Sequence, residues 1–258
     1  MQRLGIQLKM AFAVAVRDSF SGRPLTGSQV RVSLPEDPGN RPVTKRDGYY
    51  VVLAGRIPVT RVLVQAPGFH SRECMVDPET LEVTGQILYV WLVPDQTYAG
   101  GGSRSFLQIR GALPGEPVTV TETGRSQGLR ILSLESGEKT LLRIFSPGQQ
   151  DLSGRSFAVM KSPEEVPEQV ISLLCREGED SYVIKEPVAG FQEGAEAYLY
   201  PRWEISADRD GNAAAVLKPD PDRGDVSCAV QNRQGRCIRV RETDERILRI
   251  DLSGESER

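Results

Sequence analysis

The sequence predicts an all-β protein in which two related β-sandwiches flank a small middle β unit. One turn-and-strand pattern occurs twice at a constant offset of 163 residues: Pro24-Leu25-Thr26-Gly27 recurs as Pro187-Val188-Ala189-Gly190, and Asp47-Gly48 recurs as Asp210-Gly211. Self-similarity at a fixed spacing is typical of a duplicated domain. Short apolar segments separated by Gly- and Pro-containing turns favour strands over helices.

The first predicted domain covers residues 1–98. Its apolar side chains alternate with a period of two, as expected for strands that bury one face. Four segments carry this alternation: Phe12, Val14 and Val16; Val30, Val32 and Leu34; Val62, Val64 and Ala66; Leu88, Val90 and Leu92. The apolar run from Met10 to Val16 is short for a signal peptide, so we interpret it as the first strand.

The remainder is predicted to contain a linker and two further domains. Residues 99–104 include Gly100-Gly101-Gly102 and are expected to form a flexible linker. Residues 105–160 are expected to form a middle all-β unit that is unrelated to its neighbours. Residues 161–258 would be the second sandwich, so residues 7–94 and 167–252 should superpose.

A family resemblance supports the first sandwich. Gly22-Arg23-Pro24-Leu25-Thr26-Gly27, followed by an alternating strand, resembles the opening of a carboxypeptidase-regulatory-like, or transthyretin-like, β-sandwich. Asp47-Gly48-Tyr49 and Ala66-Pro67-Gly68-Phe69 resemble two further elements of that family. The second repeat is similar only in part, because it has no aromatic residue directly after Gly211. The resemblance implies tandem Ig-like, transthyretin-like modules that are not catalytic.

Composition limits the classes of function. The net charge is −3, without the clustered Lys and Arg that favour nucleic acid. No apolar run reaches the about 20 residues of a membrane span. The four cysteines are too scattered for a zinc site, and we expect them to be reduced. Cys74 and Cys237 fall at equivalent repeat positions, whereas a bridge between Cys228 and Cys237 across a hairpin stays open.

The sequence predicts neither a catalytic site nor a cofactor. His70 is the single histidine and follows a Pro-Gly-Phe turn, so we expect an exposed loop residue. None of the common nucleophile, phosphate-loop or dinucleotide motifs occurs. Carboxylate pairs such as Glu164-Glu165, or Glu193 with Glu196, are interpreted as polar surface.

Two short motifs could bind ligands. Asp208, Asp210 and Asn212 alternate in a turn and form a weak calcium candidate, although the glycine is one position too early for an EF-hand loop. Arg223-Gly224-Asp225 is the tripeptide that integrins recognise. Its surroundings have the composition of an ordinary turn, which is the simpler interpretation.

The candidate binding face consists of Tyr198, Tyr200 and Trp203. Tyr198 and Tyr200 should share one strand face, and such a cluster suits contact with a glycan or a protein. The alternative is that these rings cover the end of the second core.

We therefore expect a non-catalytic structural or interaction protein that acts by assembly with protein partners or with itself. One version is a component of a phage-tail-like or contractile injection assembly, made and assembled in the cytoplasm. One alternative is a secreted adhesin or carbohydrate-binding protein. Another, less favoured, is a carboxylate-dependent enzyme.

Overall fold

The computed structural model describes residues 9–55, 58–146, 150–163, 165, 167, 169–191 and 196–253. Strands form 48% and helix 3% of the structure, which confirms the all-β prediction and its several sandwich-like sheets. The chain divides into two compact units, one ending at Leu92 and one beginning at Val93. No helix in the described part of the chain has both the length and the apolar character needed to cross a membrane.

The described residues of unit 1 form seven strands and one short helix. They are β1 (Met10–Asp18), β2 (Arg31–Ser33), β3 (Val43–Thr44), β4 (Tyr49–Leu53), β5 (Arg61–Gln65), β6 (Arg72–Met75), α1 (Pro78–Val83) and β7 (Ile87–Leu92). The sheets have the orders β3-β4-β1-β7 and β2-β5-β6. Their alternating residues form one core, which includes Val14, Val52, Val62, Val64 and Leu92. The predicted periodicity therefore gives the correct buried face.

Unit 2 contains twelve strands in its described part. They are β8 (Ser105–Arg110), β9 (Pro117–Glu122), β10 (Leu129–Ser136), β11 (Thr140–Phe145), β12 (Ser156–Met160), β13 (Gln169–Arg176), β14 (Ser181–Ile184), β15 (Tyr198–Ser206), β16 (Ala213–Leu217), β17 (Val226–Gln231), β18 (Cys237–Thr243) and β19 (Ile247–Asp251). A 3-10 turn, Arg125–Gln127, precedes β10.

One part of unit 2 is a sandwich. A sheet of order β16-β8-β19 packs against the strands β15, β9, β17 and β18 of a larger sheet. The shared core is aliphatic, with one aromatic side chain, Trp203, among residues such as Leu107, Val120, Ala215 and Leu248. Burial of this apolar surface is the main force that holds the two sheets together.

The other part of unit 2 is a closed ring of six antiparallel strands. Around the ring the order is β10-β11-β14-β13-β12-β15, and pairing of Leu129 with Leu199 closes it. Interior side chains include Phe157, Leu173 and Tyr182, each 1% exposed or less. Closure removes the open edges that these strands would otherwise present.

Strand β15 belongs to both parts of unit 2. Its first half pairs with β10 and β12 of the ring, and its second half, from Arg202 to Ser206, pairs with β9 of the sandwich. A continuous strand of nine residues therefore joins the ring to the sandwich.

The structure corrects the expected division at residues 105–160 and 161–258. The expected boundary lies between residues 160 and 161, but strands from its two sides form one sandwich. β8 pairs with β16 and β19, and β9 pairs with β17. Residues from about 167 to 201, expected in the second sandwich, contribute to the ring instead. The segments 7–94 and 167–252 therefore do not correspond over their full length, because the ring interrupts the sandwich between β9 and β15.

Residues 99–104 do not separate the units. Unit 2 already begins at Val93, which is buried in its core, and Tyr98 is also buried. The guanidinium of Arg104 donates hydrogen bonds to the main-chain oxygens of Tyr98 and Gly100, at 2.9 and 2.7 Å. This Gly-rich segment is therefore part of unit 2, and not the expected linker between the domains.

Candidate functional site

The three aromatic residues of the predicted binding face do not lie together. Tyr198 and Tyr200 share one face, with ring centroids 6.4 Å apart, but Trp203 lies on the opposite face of β15 in the sandwich core. Tyr200 packs against Ala158 and Met160, and its burial raises the pKa of its hydroxyl to about 12. Only Tyr198 of the three is partly exposed, because Trp203 lies within the sandwich core and Tyr200 is buried in the small cluster with Ala158 and Met160.

The acidic turn is organised by its own backbone. The carboxylate of Asp208 accepts hydrogen bonds from the main-chain N–H groups of Asp210 and Asn212, both at 2.9 Å. This use of an aspartate side chain is ordinary turn chemistry. Among the described residues, no group of three or more His, Cys, Asp or Glu side chains could hold a metal ion.

The remaining sequence candidates are dispersed. His70 is half-buried after the turn at Phe69 in unit 1, whereas an exposed loop residue was expected. Glu165 and Glu196 are exposed, as predicted for polar surface, whereas Glu164 and Glu193 lie outside the described residues.

The four cysteines are free thiols, whereas neither the bridge between Cys228 and Cys237 nor the equivalence of Cys74 and Cys237 is found. Cys228 is opposite Val240 and Cys237 is opposite Gln231, so the two thiols do not face each other across the hairpin. All four cysteines are free. Cys74 packs partly against the first core whereas Cys237 is exposed, so these two do not occupy equivalent buried positions.

Unit 2 contains a polar cleft that sequence reasoning did not find. Its volume is about 230 Å³, and eight residues line it: Thr123, Pro163, Asp220, Arg223, Asp225, Ser227, Arg241 and Glu242. They come from the end of β9, the segment after β12, the loop between β16 and β17, and strands β17 and β18. The sequence gives no signal for this grouping, because the ring separates its members along the chain.

The loop that forms one wall of the cleft is tightly hydrogen-bonded. The N–H of Asp220 donates to the oxygen of Asp225, and the N–H of Gly224 donates to the oxygen of Asp220, both at 2.8 Å. A hydrogen bond from Ser126 is the main cause that lowers the pKa of the Asp220 carboxyl. The tripeptide Arg223-Gly224-Asp225 is therefore held in a fixed turn at the cleft.

The opposite wall contains a β-bulge. The register of β17 and β18 shifts between the pair Val226–Thr243 and the pair Cys228–Val240. Glu242, on β18 within this bulge, has a φ of 39°. The N–H of Glu242 donates to the hydroxyl of Ser227 at 2.9 Å, and its carboxylate lies 3.6 Å from the guanidinium of Arg223. A non-glycine residue in this region is strained, and such strain is enriched at functional sites.

A buried carboxyl group precedes the cleft along β9. Glu122 is 7% exposed, and the N–H of Lys218 approaches its carboxylate at 3.5 Å. Burial raises the pKa of Glu122, and the positive charge of Arg155 opposes this in part. The cleft itself combines guanidinium and carboxylate groups, which could bind a partner of mixed charge.

No family model matches the chain, and no curated protein matches it significantly.

Proposed function

We propose that this protein is a non-catalytic interaction module that works by assembly with protein partners or with copies of itself. The observation that carries the proposal is the exposed terminal strand β6 of unit 1. It pairs only with β5 in the described part of the chain, and Met75 on it has 67% of its surface exposed.

Register indicates which backbone groups of β6 point outwards. The N–H of Val76 donates to the oxygen of Thr60, and Val62 pairs with Cys74 two residues further along. Because hydrogen-bonded and non-bonded pairs alternate in an antiparallel ladder, the backbone groups of Glu73 and Met75 face the outer edge. An outer edge with an exposed apolar side chain can accept a strand from another protein.

The strand orders support a duplicated module. In unit 1, β1 pairs with β4 in antiparallel and with β7 in parallel orientation, and β8 pairs with β16 and β19 in the same two orientations. Likewise, the order β2-β5-β6 corresponds to β9-β17-β18. We infer that the second sandwich is a copy of a transthyretin-like module into which the ring was inserted. Such modules commonly act as spacers or docking units.

The alternative of a carbohydrate-binding adhesin loses its main support. It was based on Tyr198, Tyr200 and Trp203, of which only Tyr198 is partly exposed. A narrower proposal is that the protein is a component of a contractile injection assembly, and it rests on an analogy of fold. The native mass of the complex would test it.

The experiment compares the native mass of the intact protein with that of two variants. Sedimentation velocity and light scattering are run on lysate of the source cell and on purified protein at rising concentration. We expect masses above the 28.4 kDa of one chain. Met75→Lys should shift them towards the single-chain value, because a charge on an edge strand opposes pairing.

Met10→Lys is the matched control, since Met10 is also exposed but lies on β1, inside its sheet. It should leave the mass unchanged. A wild-type protein that remains a single chain in lysate and at every concentration would contradict the proposed function.

A further inference from the structure

The outer wall of the six-stranded ring carries a row of side chains that alternate between aromatic and cationic. Arg130 on β10 is paired on one side with Phe145 of β11 and on the other with Tyr198 of β15. Directly paired residues project from the same face of a sheet. Ile131 and Ile144, which alternate with them, are buried inside the ring, so Arg130 and Phe145 project outwards.

A bulge adds a second apolar side chain to this wall. The register between β10 and β11 shifts between Ile131 and Ser133, and the extra residue, Leu132, has 38% of its surface exposed. Phe145 is 58% exposed. Arg143 is also exposed. It is paired with Ser133, in the next pair on the outer face after Arg130 and Phe145. We call Arg130, Leu132, Arg143 and Phe145 the ring patch.

The geometry points to an acidic protein segment as the occupant of the ring patch; this inference rests on the proposed function. Diagonal neighbours in an antiparallel pair lie about 7–8 Å apart, which is the relation of Arg130 to Arg143. Two carboxylates on one face of an extended segment are separated by about 7 Å. An acidic strand with carboxylates at positions i and i+2 and an apolar residue at position i+4 of the same face would therefore match the two guanidinium groups and the apolar pair at once.

The composition of the ring patch favours a protein over other anionic partners. Aromatic residues and arginine are the residue types most enriched at the energetic centres of protein interfaces, where lysine is depleted. The planar guanidinium binds a carboxylate with two parallel hydrogen bonds. Only two cations are present, whereas polyanions such as nucleic acids are bound by extended basic surfaces.

The test uses the intact protein and a synthetic peptide in which one face of an extended chain carries two successive glutamates followed by a leucine. Binding is followed by fluorescence anisotropy and by amide shifts of ¹⁵N-labelled protein. We expect saturable binding that weakens with salt, with shifts centred on residues 129–136 and 140–145. The double variant Arg130→Glu, Arg143→Glu should reduce affinity about tenfold or more, because it reverses both contacts. Phe145→Ser should weaken binding by a similar factor.

Three controls make the result decisive. Arg249→Glu changes an exposed arginine of β19, outside the ring, and should leave affinity unchanged. A peptide with lysine in place of glutamate should not bind. The thermal midpoints of all variants should match the wild type. Binding of the lysine peptide, unchanged affinity in the double variant, or binding to anionic phosphatidylserine vesicles in preference to the peptide would overturn the inference. If the ring-patch variants have no effect while Met75→Lys still reduces the native mass, the inference fails and the proposed function stands.

Discussion

Glu122 lies directly opposite Cys228 across strands β9 and β17, and both side chains are buried. Burial raises the pKa of the Cys228 thiol to about 12, and the charge of Glu122 adds to this effect. Burial also raises the pKa of Glu122. Negative charge at this point in the sandwich is therefore unfavourable.

We expect Glu122→Gln to stabilise the protein at neutral pH. Because the pKa of Glu122 is raised in the folded state, its contribution to stability is present below the ordinary value of 4.5 and is lost as the pH rises through the raised pKa. The neutral amide avoids this loss. Thermal unfolding at pH 7 should show a midpoint a few degrees above the wild type, and the difference should shrink towards pH 4.

Glu116→Gln is the matched comparison, because Glu116 is equally buried but uses its charge. Its carboxylate accepts hydrogen bonds from the N–H groups of Leu113 and Arg233, at 2.8 and 2.9 Å. An amide offers one acceptor atom in place of two, so one N–H loses its partner, at a cost of about 1–3 kcal/mol. The two variants should shift the midpoint in opposite directions. Equal shifts would contradict this prediction, because they would show that burial alone governs these sites and that the two hydrogen bonds of Glu116 make no difference.

The thiols should differ strongly in reactivity. Cys237 is exposed, whereas Cys228 is buried with a pKa of about 12, and only the thiolate reacts at a useful rate. Mass spectrometry after brief treatment of the folded protein with iodoacetamide at pH 8 should show alkylation mainly at Cys237. Cys237→Ser should remove this fast phase. Alkylation of Cys228 at the same rate would contradict the buried position.

Gly211 should tolerate alanine less well than Gly235. Both have a positive φ, 76° and 86°, which strains any L-residue by about 1–2 kcal/mol. A Cβ at Gly211 would also collide with the main-chain oxygen of Ala112, whereas Gly235 has open space around it. Denaturant unfolding should therefore show a clearly larger loss of stability for Gly211→Ala. Equal losses would mean that backbone strain accounts for both.

The turns that contain Gly48 and Gly211 show what repeat analysis can predict. The oxygen of Gly48 accepts a hydrogen bond from Val16 and that of Gly211 accepts one from Ala112, so the two turns make similar contacts, whereas their equivalence as members of a repeat stays a prediction. Period-two alternation likewise identified strand faces, because the alternation follows directly from side-chain geometry.

The ring limited the rest of the sequence prediction. Residues 16 and 112 are 96 apart, whereas residues 48 and 211 are 163 apart, so the offset between these two similar contacts differs by 67. A constant offset therefore placed Pro187 in the sandwich, although residues from about 129 to 201 build the ring. Closure of the ring depends on pairing between Leu129 and Leu199, a long-range contact that local patterns do not encode. The cleft and the ring patch escaped prediction for the same reason.

Truncation tests where the second unit begins. Val93 is buried in the core of unit 2, the oxygen of Pro94 accepts a hydrogen bond from Val216 at 3.3 Å, and Tyr98 is 8% exposed. We expect residues 93–258 to fold cooperatively, because their core is complete. Residues 99–258 lack Val93 and Tyr98, whose burial contributes roughly 3 kcal/mol or more.

Calorimetry of the two fragments measures this difference. The shorter fragment should melt about 10 °C lower, since a domain of this size loses about 2–4 °C per kcal/mol. Val93→Ser in the longer fragment separates the contribution of one side chain from that of the segment, and it should give an intermediate midpoint. Equal midpoints for both fragments would place residues 93–98 outside the folded unit, because a linker contributes no burial to the core. The interpretation of the Gly-rich segment as a linker would then be restored.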